Sequence, residues 1–186
     1  DMFIANFFAY KPVLSKESRI AYYKNTGTDT QPEFTLIDSD FQNLSSLDIG
    51  LRMVPSFGDL NGDSKIDMLL GLENGSLAYF ENISTGPSPM FASPVINYQD
   101  NNGSLIYHGL YAAPQLFDLN KDNLLDLIIG VKTGELIYYE NTGTTTDPQF
   151  TLVNELLGGV DVSDLTPDGY SVPNFFDFND TTYAMV

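Results

Sequence analysis

The chain repeats itself, and the interval restricts what it can become. The stretch "FGDLNGDSKIDMLLG" at residues 57–71 returns as "LFDLNKDNLLDLIIG" at 116–130, so that Asp118 follows Asp59 by 59 residues. A third, damaged copy, "FFDFNDTTYAMV", sets Asp177 at the same distance from Asp118. Pro55, Pro114 and Pro173 keep the interval, and "AYYKNTG", "AYFENIS" and "IYYENTG" begin at 21, 78 and 137. A fixed period of tens of residues marks an array of like units stacked on one another. We read residues 1–186 as a single repeat domain with approximate phases 1–58, 59–117 and 118–176, and with 177–186 starting a degenerate further copy.

Each unit reads as strands. "IDMLLGL", "SLAYFEN", "LLDLIIGV" and "ELIYYEN" are short, rich in Ile, Leu, Tyr and Phe, and bounded by Gly, Asn and Pro, as buried or half-buried strands are. "ENG" (73–75) and "KTG" (132–134) separate consecutive pairs and suit tight hairpins, because Gly accepts positive φ cheaply. A strand before each acidic loop ("MVPSF", "APQLF", "SVPNFF") and one after each turn ("EFTLI", "MFASPVI", "QFTLV") bring the count to four per unit. No amphipathic helix competes. The expectation is an all-β chain: a β-propeller of four-stranded antiparallel blades, about three of them present.

The acidic loops carry the chemistry. Crowded carboxylates repel one another in a compact state unless a cation sits among them. "DLNGDSKIDMLLG" and "DLNKDNLLDLIIG", each introduced by a Pro-containing strand and followed by "AYFEN" or "IYYEN", resemble the FG-GAP or VCBS-type repeats of integrin α-subunit propellers and of many secreted bacterial proteins. The resemblance covers nearly the whole chain. It implies that the loop joins the first two strands of a blade and binds calcium.

The spacing agrees with that implication. Asp59, Asn61, Asp63 and Asp67, at loop positions one, three, five and nine, offer only oxygen, and Lys65 at position seven would give its backbone carbonyl, which leaves its side chain free to point away. Asp118, Asn120, Asp122 and Asp126 repeat the set, with Leu124 as the carbonyl donor. Hard oxygen ligands without His or Cys select calcium over zinc or copper, and two Ca2+ sites are expected. A lone acidic loop reads equally well as a solvated turn, but two in-register copies argue against that. An EF-hand or dockerin-like loop needs a Glu at position twelve and a following helix, where this chain has Leu70 or Ile129 in a strand-like run. In the third copy one residue reads as deleted, with Ala184 or Met185 in place of the last Asp, and no third site is expected from Asp177 and Asn179.

Composition narrows the partners. The 25 Asp and Glu against 8 Lys and Arg, a formal charge of −17, repel nucleic-acid phosphates and anionic membrane surfaces. No apolar run reaches the roughly 18–20 residues a spanning helix needs, so no membrane insertion is expected. The chain has no cysteine and one histidine, and neither a phosphate loop nor a serine elbow can be read in it. No catalytic residue is assigned. His108, beside Tyr107 and Tyr111, reads as ordinary packing before it reads as part of an aromatic ligand patch. The repeated pairs Tyr22–Tyr23, Tyr79–Phe80 and Tyr138–Tyr139 read as core between blades.

Alternating strand direction puts the acidic loops and the "NTGT" turns on one face. The hairpins and the connections 38–50, 97–110 and 154–169 fall on the other. These connections differ most between units, and variable loops on a rigid frame are where recognition usually resides. The expected partner is a protein or glycan bound there. Closed propellers have roughly four to eight blades, so the remaining blades of a longer chain, or other chains, are expected to complete the ring. Residues 6–19 lengthen the first hairpin. Two function classes follow: a calcium-stabilised recognition or adhesion propeller of an exported or cell-surface protein, and a non-catalytic accessory propeller of a secreted polysaccharide- or lipid-degrading enzyme.

Overall fold

A computed structural model describes residues 1–6, 9–10, 16–47, 49–163, 168–178 and 181–186. Asn179, part of the 6–19 insertion, Asp48 in the first connection and residues 164–167 of the third lie outside the described residues. The described chain is all-β, with helix confined to two short 3-10 turns, Phe41–Ser46 and Leu157–Gly159. None of these is long or apolar enough to cross a membrane. The chain divides into two compact units, Asp1–Met53 and Val54–Val186.

In the first unit, β1 (Met2–Ala5), β4 (Ile20–Asn25) and β5 (Phe34–Asp38) form a three-stranded antiparallel sheet. Inside the insertion, β2 (Ala9–Tyr10) pairs with β3 (Lys16–Glu17). Tyr22 is buried against Phe3 and Phe41, with ring centroids 5.1 and 5.4 Å away.

The second unit holds two sheets of the same plan. β6 (Val54–Gly58), β7 (Asp67–Gly71), β8 (Leu77–Phe80) and β9 (Val95–Ile96) lie side by side in chain order. So do β10 (Ala113–Phe117), β11 (Asp126–Gly130), β12 (Leu136–Asn141) and β13 (Phe150–Asn154). All neighbours are antiparallel. A two-stranded sheet follows, β14 (Asn174–Phe178) with β15 (Thr181–Met185). The central strands "DMLLG" and "DLIIG" are buried at every position, which is why they read as continuous apolar runs rather than alternating ones. Pleating sends Leu127 and Ile129 into a cluster with Leu69, Leu77, Ile137 and Phe150, and Ile128 into another with Leu136 and Tyr138.

β9 is cut to two residues, with a single bridge, Asn82 to Phe91, upstream. Pro94 stands between them, and proline has no N–H to give a ladder.

Contacts between successive sheets recur at the repeat interval. The Ser56 hydroxyl accepts the Leu116 N–H (2.9 Å), and 59 residues on the Gln115 amide brackets the Phe175 backbone, accepting its N–H (2.6 Å) and donating to its carbonyl (2.8 Å). Ala112 N donates to Leu72 O, as Ser171 N donates to Val131 O, both at 3.2 Å. Arg52, Tyr111 and Tyr170, one repeat apart, all hold positive φ (53°, 63° and 61°). The backbone therefore repeats even where the side chains do not.

The third hairpin corrects the reading of a single deletion. Residues 59–66 separate β6 from β7, whereas only 179–180 separate β14 from β15. Pairing sets Tyr183 opposite Phe176 as Asp67 stands opposite Gly58 and Asp126 opposite Phe117. Tyr183, rather than Ala184 or Met185, thus occupies the place of the last aspartate.

Candidate metal centre

Loops 59–66 and 118–125 run from the first to the second strand of each complete sheet. Both are coiled by their own side chains. The two Asp59 oxygens accept the N–H groups of Gly62 (2.7 Å) and Ser64 (2.8 Å), and those of Asp118 accept Asp122 N (3.1 Å) and Asn123 N (2.9 Å). Asn61 accepts Asp63 N and Asn120 accepts Asp122 N, at 3.0 and 3.1 Å; Asp63 accepts Lys65 N and Asp122 accepts Leu124 N, at 2.9 and 2.8 Å. Short acidic and amide side chains favour such turns because they reach backbone N–H groups two residues on. Loop positions four and six hold positive φ in both copies: Gly62 and Ser64 at 73° and 66°, Lys121 and Asn123 at 65° and 72°. A Cβ on Gly62 would come within 2.6 Å of the Thr146 methyl and 2.9 Å of Thr145 O, so this loop lies close to the turn ahead of β13. A cleft of about 210 Å³ between the two loops is lined by Asp59, Gly62, Asn123, Leu124 and Thr144 among others.

The ninth position behaves differently. Asp67 and Asp126 are fully buried, and each is bonded three times in the same way. Asp67 accepts Leu60 N (3.1 Å), Asn82 N (2.8 Å) and the Tyr79 hydroxyl (2.9 Å). Asp126 accepts Leu119 N (3.0 Å), Asn141 N (2.9 Å) and the Tyr138 hydroxyl (3.0 Å). A buried carboxylate is tolerable only with such partners. Burial still pushes Asp126 above the usual carboxylate range, against the pull of these donors. Tyr138 is pushed far up by burial and by its bond to Asp126. In the first unit Asp1 takes the Tyr22 hydroxyl and Asn25 N, both at 2.9 Å.

The structure thus gathers Asp59, Asn61 and Asp63, and Asp118, Asn120 and Asp122, at the surface, and sends Asp67 and Asp126 inward as braces. Among the described residues no three Asp, Glu or His side chains are grouped so as to share one ion in this conformation. The Lys65 side chain, left free by a carbonyl role, folds back onto the loop: its ammonium donates to Asp63 Oδ2 at 2.8 Å. That contact lowers Asp63 and raises Lys65. In the second loop the amide of Asn120 donates to the matching oxygen of Asp122 at 3.0 Å, and Leu124 is half-buried.

Two pairs at the loops escaped the sequence reading. Tyr79 and Tyr138 were legible as core, but their hydroxyls serve the braces. Glu81 and Glu140 accept from the Asn61 and Asn120 amides, at 3.5 and 3.1 Å. The repeated "FEN" and "YEN" was the available signal. In the third hairpin Asp177 pairs with Lys121 and accepts the Thr182 hydroxyl (2.8 Å). His108 is half-buried, with Nε2 2.7 Å from the Tyr139 hydroxyl and Nδ1 3.5 Å from Glu155.

The donor set fits an oxygen-seeking cation in its chemistry. An ionised carboxylate has about four acceptor sites, so Asp59, Asp63, Asp118 and Asp122 retain capacity beyond the bonds that coil the loops. Comparison with protein-family models, characterised proteins and solved structures gives no match to this chain.

Proposed function

We propose that the chain is a calcium-stabilised recognition or adhesion module of an exported or cell-surface protein, built as part of a β-propeller. Two four-stranded antiparallel sheets in chain order, each stacked on the next through bonds that recur at the repeat interval, support blades over isolated sheets. The remaining blades come from a longer chain or from other chains.

The observation that carries the metal reading is the recurrence of one oxygen-rich loop, with one coil and one brace, at the same place in both complete sheets. Calcium would be held by Asp59, Asn61 and Asp63 in one loop and by Asp118, Asn120 and Asp122 in the other, with the carbonyls of Lys65 and Leu124 as further oxygens. Asp67 and Asp126 anchor the loop ends. The ion would supply charge neutralisation and no reaction chemistry, since no base or nucleophile is assigned beside it. A protein or glycan would dock on the connections 38–50, 97–110 and 154–169.

Calorimetric unfolding with calcium, magnesium and chelator tests this reading. At ten times its dissociation constant each ion would add about 1.4 kcal/mol, seen as a raised midpoint with calcium and a return to the chelator value when it is removed. An unmoved midpoint sinks the metal assignment. Alanine-block replacement of each connection tests the docking face separately.

A further inference from the structure

Beside the edge strand β9 lies an open cleft of about 470 Å³, bounded across from it by Pro148 and Gln149 just ahead of β13. Its walls are fixed. Tyr98 N donates to Leu77 O (3.1 Å), Ile106 N to Tyr98 O (3.1 Å) and Asn101 N to Phe150 O (3.0 Å), and the Tyr98 ring is held against those of Tyr79 and Phe150 at 5.8 and 6.2 Å between centroids.

The polar groups that line this cleft are incompletely used. The side-chain amides of Asn97 and Gln99, both exposed, make no hydrogen bond to the described protein. Asp100 spends Oδ1 on Asn102 N (2.9 Å) and Ser104 N (2.8 Å), and its other oxygen is open. Gln149 donates its amide N–H to Asp147 (3.0 Å), which leaves its carbonyl to accept. Asn97 holds a positive φ of 60°, an uncommon conformation kept within the cleft wall. Around these lie apolar surfaces, with Val95 and Ile96 about half exposed (56% and 48%) and Pro148 opposite.

We propose that this cleft binds a neutral sugar of one or two rings. Each sugar hydroxyl is both donor and acceptor, and two free amides with two free acceptor oxygens match a run of such groups. The apolar strip suits the C–H face of a pyranose ring. Among the described residues no Lys, Arg or His lines the cleft, and the chain's charge of −17 repels anionic ligands. The volume lies within the roughly 300–1,000 Å³ of small-molecule sites.

This inference rests on the recognition reading and names its ligand class. The test is titration of the 15N-labelled full chain with glucose, galactose, mannose, N-acetylglucosamine, cellobiose, maltose and, as the charged comparison, glucuronic acid. The expected result is a saturable shift of the backbone amides of residues 95–100 and 149 with at least one neutral sugar and none with glucuronic acid. Gln99→Ala, an exposed change that leaves the unfolding midpoint in place, weakens that titration about tenfold, the effect of losing one or two hydrogen bonds. No saturable shift with any neutral sugar, shifts elsewhere, or an unchanged titration in Gln99→Ala overturns the proposal. Those outcomes leave the calcium midpoint untouched, and replacing connections 38–50 or 154–169 spares the cleft residues 95–100 and 148–149, so the two readings fail separately.

Discussion

Asp126 has no contact with solvent, so its carboxylate must find inside the fold the donors that water would have supplied. Removing one of the three leaves a buried charge short of a partner. Tyr138→Phe should therefore cost about 1.5–3 kcal/mol, the range for hydrogen bonds to charged groups, read as a lower urea midpoint with unchanged slope. Tyr22→Phe removes the same contact to Asp1, which is exposed, and should stay within about 0.5 kcal/mol. His108 gives the second residue-scale prediction. Burial lowers its pKa, only partly offset by the Glu155 carboxylate, and Tyr139, itself pushed up to about 12, stays protonated beside it. The ring sits with Nε2 2.7 Å from the Tyr139 hydroxyl and Nδ1 3.5 Å from Glu155. Because the unfolded chain takes up the proton first, stability falls as pH drops below the ordinary histidine value of about 6.5. His108→Gln should lose this part of the pH dependence in denaturation curves taken between neutral and mildly acid pH. The loop acids and the histidine were visible in the sequence; their division into surface turns, inward braces and a half-buried pin was not, because spacing does not say which side of a strand end is wet.

At the scale of elements, the glycines that close β7 and β11 govern how one sheet meets the next. A Cβ on Gly71 would lie 2.2 Å from Ala112 O and one on Gly130 2.1 Å from Ser171 O. Backbone cannot yield as a flexible side chain can. Gly130→Ala should destabilise by about 1–3 kcal/mol through overpacking, while Gly86→Ala, with nothing within 4 Å of its Cβ, should be close to neutral by the same denaturation assay. Strands, hairpins and their order were legible because buried strands leave apolar runs and hairpins leave Gly. The shortness of β9 is not legible, since "MFASPVI" looks like a full strand although Pro94 has no N–H to give. The register of the third hairpin is not legible in the sequence, because β14 and β15 extend past the place where the earlier pairs open into loops.

Over the whole molecule, the formal charge of −17 acts on every compact state. Self-repulsion is screened by salt, with a Debye length of about 10 Å at 0.1 M. Sodium chloride should raise the thermal midpoint between low and moderate ionic strength without any specific site. The calcium effect must therefore be measured against sodium chloride of equal ionic strength, and the excess is the part that belongs to the loops. A midpoint that falls as sodium chloride is added would contradict the repulsion argument.

The sequence by itself determined the period, the all-β class, the four-strand order and the oxygen-only composition of the two loops, because repetition, apolar runs and turn residues are local properties of a chain. Tertiary structure decided what those loops do with their oxygens. Whether a carboxylate coils its own loop, braces a buried strand or pairs with a neighbouring lysine depends on burial and on which donors other strands bring near. Asp59, Asp67 and Asp63, alike on paper, take those three parts in turn.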